Sequence, residues 1–190
     1  IENAEDKTSE ISSIITEKTI SSRDVVIGIS CSGGAPFVLE FLNQSKQNGA
    51  STALITFNDI ENLTYVNNIL RVFVGPEIIS GSTRMKSGTA TKMILNMISS
   101  ITMIKLNKTY GNYMVDLKVM NQKLLDRGIR IIKSITGITS DDAKILLDES
   151  KGNVKNAIIM QKLNITYSKS MDLLDKHNDS LRQILNDRNK

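Results

Sequence analysis

Residues 24–30, Asp-Val-Val-Ile-Gly-Ile-Ser, form a short apolar run rich in β-branched side chains, and it ends in the small polar set Ser30, Cys31, Ser32, Gly33 and Gly34. β-Branched residues sit well on a pleated surface, and an apolar run without alternation is what a strand covered on both faces requires. The run therefore predicts a buried parallel strand leading into a glycine loop. From Pro36 the apolar residues change spacing to Phe37, Val38, Phe41 and Leu42, the period of a helix, and Gly49 offers a C-terminal cap. Two more runs, 51–57 (STALITF) and 69–74 (ILRVFV), read as strands. Strands separated by helix-length segments join through right-handed crossovers into a parallel sheet. The predicted fold class is α/β, a parallel sheet flanked by helices.

Past residues 75–77 the pattern is helical to the end. Met93, Ile94, Met97, Ile98, Ile101, Met103 and Ile104 predict a long apolar helix whose methionines serve as adaptable core. Residues 114–135 predict another, with Val115, Val119, Leu124, Ile131 and Ile132 on its buried side. Thr139 or Ser140 can cap a third, whose paired acids Asp141 and Asp142 suit the positive end of a helix. Gly152 ends it, a fourth starts at Asn153, and the segment 168–188 is polar and amphipathic. The expected organisation is a larger part over 1–135 and a small helical part over 136–190.

At 190 residues, 40% hydrophobic and 23% charged, the chain has a globular composition. Cys31, the single cysteine, forms no internal disulfide. No apolar stretch approaches the roughly 20 residues of a membrane span, and the polar, acidic start has no apolar signal region, so a cytoplasmic protein without a membrane partner is expected. The first 80 residues carry five Lys+Arg against ten Asp+Glu, a net −5, and the remaining 110 carry 19 against ten, a net +9. In the basic part lysines alternate with acids along helical patterns, and aromatic residues are only 4% of the chain. That leaves few stacking platforms, and no nucleic-acid partner is expected.

Two clusters could carry chemistry. Ser30, Cys31, Ser32, Gly33 and Gly34 lie between the carboxyl end of a predicted strand and the amino end of a predicted helix, where open α/β sheets bind ligands. Hydroxyls and backbone N–H groups beside a helix dipole can cradle a phosphate; the alternative is a plain tight turn. The loop has neither a P-loop ending nor a GxGxxG pattern, so nothing in it asks for a nucleotide. The second cluster is Glu77 followed by 80–89, Ser-Gly-Ser-Thr-Arg-Met-Lys-Ser-Gly-Thr. Its hydroxyls and cations can wrap an anionic polyol; the alternative is a hydroxyl-rich helix start with two surface cations. The Cys31 thiol lies where a helix dipole could lower its pKa, but His177 is the chain's one histidine, far along the sequence, and no matched base accompanies the thiol. A metal site is not expected. Glu2, Glu5, Asp6 and Glu10 are carboxylates that either serve as a general acid or base or remain solvated.

The run 74–97, VGPEIISGSTRMKSGTATKMILNM, resembles the signature shared by bacterial N-acetylmuramic acid 6-phosphate etherases and the glucokinase regulatory protein. Residues 108–132 resemble the etherase branch, and the IENAED start, VVIGISCSGGAPFVLE and the later TGIT and GNVKNAI stretches align in the same order. The resemblance implies a sugar isomerase domain followed by a ubiquitin-associated-like helical segment, a homodimer, and no metal or organic cofactor. It implies cleavage of the D-lactyl ether of N-acetylmuramic acid 6-phosphate, by elimination and hydration, to N-acetylglucosamine 6-phosphate and D-lactate in peptidoglycan recycling. It assigns Glu5 as a catalytic carboxylate, Ser30, Ser32 and Gly33 to the phosphate, and Ser82, Thr83 and Lys86 to the sugar. Gly34 and Ala35 stand where the family has Arg-Thr, which predicts weaker phosphate affinity. The family's chain is longer at its N-terminus, in a part holding its first strands and a further glutamate, so a chain without it should expose an apolar sheet edge. The alternative function is a non-catalytic sugar-phosphate-binding regulatory protein.

Overall fold

The computed structural model describes residues 6–186, which divide into two compact units meeting in sequence at Asn96 and Met97. In the first, helix α1 (Ile11–Glu17) precedes strand β1 (Val25–Ile29), helix α2 (Pro36–Gln47), β2 (Ser51–Thr56) and β3 (Asn68–Arg71). The strands pair in parallel in the order β1-β2-β3, with Val25 opposite Ser51 and Ile29 opposite Ile55. Proline at the first position of α2, where its missing N–H costs nothing, starts that helix as expected. Gly28 lets α2 lie directly on β1, because a Cβ there would come within 2.6 Å of Val38 Cγ1 and 2.8 Å of Leu42 Cδ1. Ile11 and Ile15 of α1, Leu42 of α2, and Leu54 and Ile55 of β2 form the core.

The burial expected for the first strand belongs to β2 instead. Val25 is 68% exposed and Ile29 37%, because β1 closes one side of the sheet and has no neighbour beyond it among the described residues. The third strand is also shorter than 69–74, and the 57–67 connection to it is irregular, without a helix. Arg71 holds that connection in place, its Nη2 donating to the Ile60 carbonyl at 2.7 Å and to Asn62 Oδ1 at 2.9 Å.

The long apolar helix forms as α3 (Lys86–Lys105), which runs from one unit into the other. Its expected role as core does not hold: only Ser87 and Ile94 of it are buried. Met93, Met97, Ile101 and Ile104 are each at least half exposed and make one stripe along the helix. No helix among the described residues is long and apolar enough to cross a membrane.

In the second unit, the hairpin of β4 (Thr109–Tyr110) and β5 (Tyr113–Met114) is followed by α4 (Gln122–Thr136), α5 (Ser140–Glu149), α6 (Val154–Leu163), α7 (Tyr167–Lys176) and α8 (Leu181–Asn186). The helix expected over 114–135 is corrected at its front. Val115 and Leu117 are buried while Asp116 between them and Lys118 after them are more exposed, which is the period of a strand, and Lys118 bridges to Asn153. Helix α4 starts where Asn121 Oδ1 accepts from the Leu124 N–H. Thr139 caps α5 through the Asp142 N–H, and Asn153 caps α6. The polar, amphipathic segment forms two helices separated at Asn178 and Asp179, both with positive φ. Ile131 and Ile132 of α4 pack with Ala143 and Leu147 of α5, Ile158 of α6, and Leu174 and Ile184 from α7 and α8. The expected 135/136 division falls in the last turn of α4, within this unit.

One charge is buried in this core. Lys155 of α6 is 2% exposed, and its Nζ lies 3.4 Å from Asp116 Oδ1 and donates to the Asp179 carbonyl at 3.2 Å. Asp116 also pairs with Lys108 at 2.7 Å, joining the start of the hairpin to α6. Partial burial pushes the Asp116 carboxyl up, but the hydrogen bond from Lys108 and the charge of Lys155 outweigh it and hold the group below its ordinary value. A carboxyl depressed in the folded state contributes stability that is present above its unfolded value, about 4, and is lost as pH falls through the folded value. Asp116→Asn should cost about 2 kcal/mol at neutral pH, below the full cost of stranding a buried lysine because Asp116 is about a third exposed. Urea unfolding between pH 2 and 7 checks this: the parent should lose stability below about pH 4, and the variant should show a flatter acid limb.

Candidate functional site

The carboxyl end of β1 turns into the predicted loop, and the structure accounts for each serine. Ser30 is buried, and its Oγ accepts from the Gly33 N–H at 3.1 Å and the Ala35 N–H at 3.3 Å. Ser32 Oγ accepts from the Gly34 N–H at 3.2 Å, and the two hydroxyls are 3.4 Å apart. The N–H groups of Gly33, Gly34 and Ala35 therefore point at serine hydroxyl oxygens, and with one hydroxyl donating to the other, one hydroxyl proton remains to be donated onward. A hydroxyl that already accepts from N–H groups is a polarised, stronger donor to an anion. Ser32 is exposed and Ser30 is not, so Ser32 can touch a ligand while Ser30 shapes the loop.

Gly33 has φ +79° and is buried; a Cβ there would meet Ile60 Cγ2 at 2.7 Å and Thr56 Oγ1 at 2.9 Å. The far side of the loop is held by β2. The Cys31 carbonyl accepts from the Phe57 N–H at 3.2 Å and from Asn58 Nδ2 at 2.9 Å. Sequence reasoning missed this role of Asn58; the available signal was its place just beyond the end of a predicted strand.

Cys31 and Ser32 line a cavity of about 340 Å³, with Asn58, Gly75, Pro76, Glu77, Ser80, Gly81, Thr83 and Ser87 on its other sides. Both predicted clusters thus meet in the first unit. Of the predicted residues, Ser32 and Thr83 face the cavity, while Ser30 and Gly33 support it from within the loop. Ser82 and Lys86 belong to the same segment without being among the lining residues; the Ser82 N–H donates to the Ile79 carbonyl at 3.0 Å and Lys86 Nζ to the Pro76 carbonyl at 2.7 Å. Glu5 lies outside the described residues. Glu77, part of the predicted cluster, has a role spacing alone did not reveal: its carboxylate accepts from the backbone N–H groups of Ser87 and Lys86 at the start of α3. These donors hold its carboxyl below the ordinary value.

Among the described residues no group of three or more His, Cys, Asp or Glu side chains stands close enough to hold a metal ion. The arrangement offers a hydroxyl donor and a thiol on the loop after β1 and a fixed carboxylate on the segment before α3, a set suited to a small polar anion bearing hydroxyl groups. Gly33→Ala should cost about 2 kcal/mol in urea unfolding, through strained φ and overpacking. Gly34→Ala, whose Cβ would meet only Ser32 Oγ at 3.9 Å, should change stability by no more than about 0.5 kcal/mol. Equal losses in the two variants would contradict this geometry.

Residues 111–167 match the family described as the C-terminal lid domain of glucokinase regulatory protein. An N-acetylmuramic acid 6-phosphate etherase of Microcystis aeruginosa is 42% identical over 185 residues, covering 97% of this chain and 60% of that protein. Its counterpart in Prochlorococcus marinus is 42% identical over 189 residues, 99% of this chain and 61% of that protein. N-acetylmuramic acid 6-phosphate etherase 1 of Bacillus licheniformis is 45% identical over 167 residues, 87% of this chain and 55% of that protein. By sequence, therefore, the chain is a relative of the N-acetylmuramic acid 6-phosphate etherases and spans about three-fifths of their length.

Proposed function

We propose that this chain is the larger portion of an etherase that cleaves the D-lactyl ether of N-acetylmuramic acid 6-phosphate to N-acetylglucosamine 6-phosphate and D-lactate. The observation that carries the reading is identity of 40% or more across 97% of the chain to proteins named for that reaction. The cavity between Ser32 and Thr83 supports it, with the phosphate at loop 30–35 and the sugar along 75–87. In this reading 1–135 is the phosphosugar-binding, sugar isomerase-type part and 136–190 the small helical one.

In the open-chain sugar the proton on C2 is acidified by the neighbouring aldehyde. A carboxylate removes it, the electron pair forms the C2–C3 double bond, and lactate departs from C3 as its ether oxygen takes a proton from a second acid; Glu5 is one of the two, the further glutamate of the longer family chain the other. Water then adds at C3 and a proton returns to C2, so carboxylate proton transfer supplies the chemistry without a cofactor. Glu77 is a poor candidate for that base, because the donors at the start of α3 hold its carboxyl below the ordinary value and make it a weaker proton acceptor. The same reading places the protein in the cytoplasm, in peptidoglycan recycling, as a homodimer. A second reading, a non-catalytic sugar-phosphate-binding regulator, is favoured by the family match over 111–167.

D-lactate release separates the two. It should appear when the chain is joined to the two-fifths of the Microcystis aeruginosa relative that it does not match, and should fall by ~10²-fold or more on Glu5→Gln. Sugar-phosphate binding without any lactate release from the joined, folded protein would sink the etherase reading and leave the regulator.

A further inference from the structure

The cavity in the first unit has two ends of unlike chemistry. At loop 30–35, the hydroxyls of Ser30 and Ser32 accept from backbone N–H groups, and the exposed Ser32 faces the cavity as a hydroxyl donor. At the other end stands the amino terminus of α3, a 20-residue helix whose positive pole would by itself draw an anion. That pole is already satisfied. Glu77 Oε1 accepts from both the N–H and the hydroxyl of Ser87 at 2.9 Å, and Oε2 accepts from the Lys86 N–H at 3.0 Å. The next two N–H groups are used as well, Gly88 donating to the Thr83 carbonyl at 3.1 Å and Thr89 to the Met85 carbonyl at 3.0 Å.

Glu77 lies nine residues before the helix, so this contact closes 77–86 into a loop. Lys86 fastens the same neck by donating from Nζ to the Pro76 carbonyl. The carboxylate is held ionised by its donors, as its lowered pKa indicates. A second phosphate arriving here would meet a fixed negative charge and a helix end with its N–H groups taken. A sugar hydroxyl would meet Oε2, which accepts one bond from Lys86 and, as a carboxylate oxygen, has capacity for another.

We propose that Glu77 is a specificity-determining residue of this cavity, closing the amino end of α3 to phosphate and admitting there the uncharged hydroxyl end of a singly phosphorylated sugar. This rests on reading the cavity as a sugar-phosphate site. The loop at 30–35 then receives the phosphate, and a sugar phosphorylated at both ends is disfavoured whichever way it enters.

The test is calorimetric titration of glucose 6-phosphate and glucose 1,6-bisphosphate, at constant ionic strength, into the parent chain, Glu77→Gln and Ser87→Ala, with circular dichroism confirming each fold. The parent should prefer the monophosphate by ~tenfold or more, the effect of one nearby like charge in a partly solvated site. Glu77→Gln should bring the two affinities within ~threefold, chiefly by tightening the bisphosphate. Ser87→Ala removes one hydrogen bond to Glu77 but keeps its charge, and should retain the parent ratio. An unchanged ratio in Glu77→Gln, with monophosphate still bound, overturns the proposal and leaves the sugar-phosphate reading standing. A ratio that Ser87→Ala moves as far as Glu77→Gln also overturns it, since Glu77 would then act only by holding the loop. Absence of binding by both sugars in all three proteins overturns the sugar-phosphate reading and this proposal together. If Glu77→Gln does not fold, the parent decides, and bisphosphate binding as tight as monophosphate overturns the proposal.

Discussion

The parallel pairing of β1 with β2 sets the position of the groups around the candidate cavity. With Ile29 opposite Ile55, the carbonyl of Cys31 comes to rest against Phe57 and Asn58, and the Ser30 N–H donates to the Ile55 carbonyl. A shift of one residue would reverse which side chains of β1 meet α2, and Gly28 would give way to a residue with a Cβ where Val38 and Leu42 leave no space. The register is therefore enforced by packing behind the sheet, and the loop in front inherits its geometry. That is why two serines and a glycine can hold a defined shape without a charged side chain among them.

The second unit is organised by a different constraint. A lysine almost wholly removed from water must keep an anionic partner, because an isolated ammonium in a core is far costlier than a paired one. Asp116 provides that partner while also reaching Lys108, so one carboxylate fixes the segment after the hairpin against α6 and the turn at Asp179. Apolar contacts from Val115 and Leu117 on either side do the rest.

Much of this was legible in the sequence where the local signal and the tertiary demand agree. The strand ending in Ser-Cys-Ser-Gly-Gly, proline at the start of α2, glycine after its end, a cap at Thr139 or Ser140 and a helix start at Asn153 were all legible, because each signal acts within a turn or two of chain. Residues 114–121 misled because Val115 and Val119 fit a helical period as well as a strand period, and only the burial of Leu117 alongside Val115 decides between them. The stripe on α3 and the side chains of β1 misled for another reason: an apolar pattern states that a face can be buried, and a neighbouring element must be present before it is.

The residue types at the candidate site, its hydroxyl-rich loops and the order of its elements follow from the sequence alone, since backbone propensity, capping and hydrophobic period are local properties. So does kinship with the etherases, carried by long matched runs. Only the tertiary structure decided that Ser32 and Thr83 share a cavity, that Glu77 spends its charge on the first turn of α3, and that Lys155 lies buried against Asp116. Those placements bring together residues 9 to 51 positions apart, and no local propensity can do that, because closing such lengths of chain is a cost only the packed fold repays.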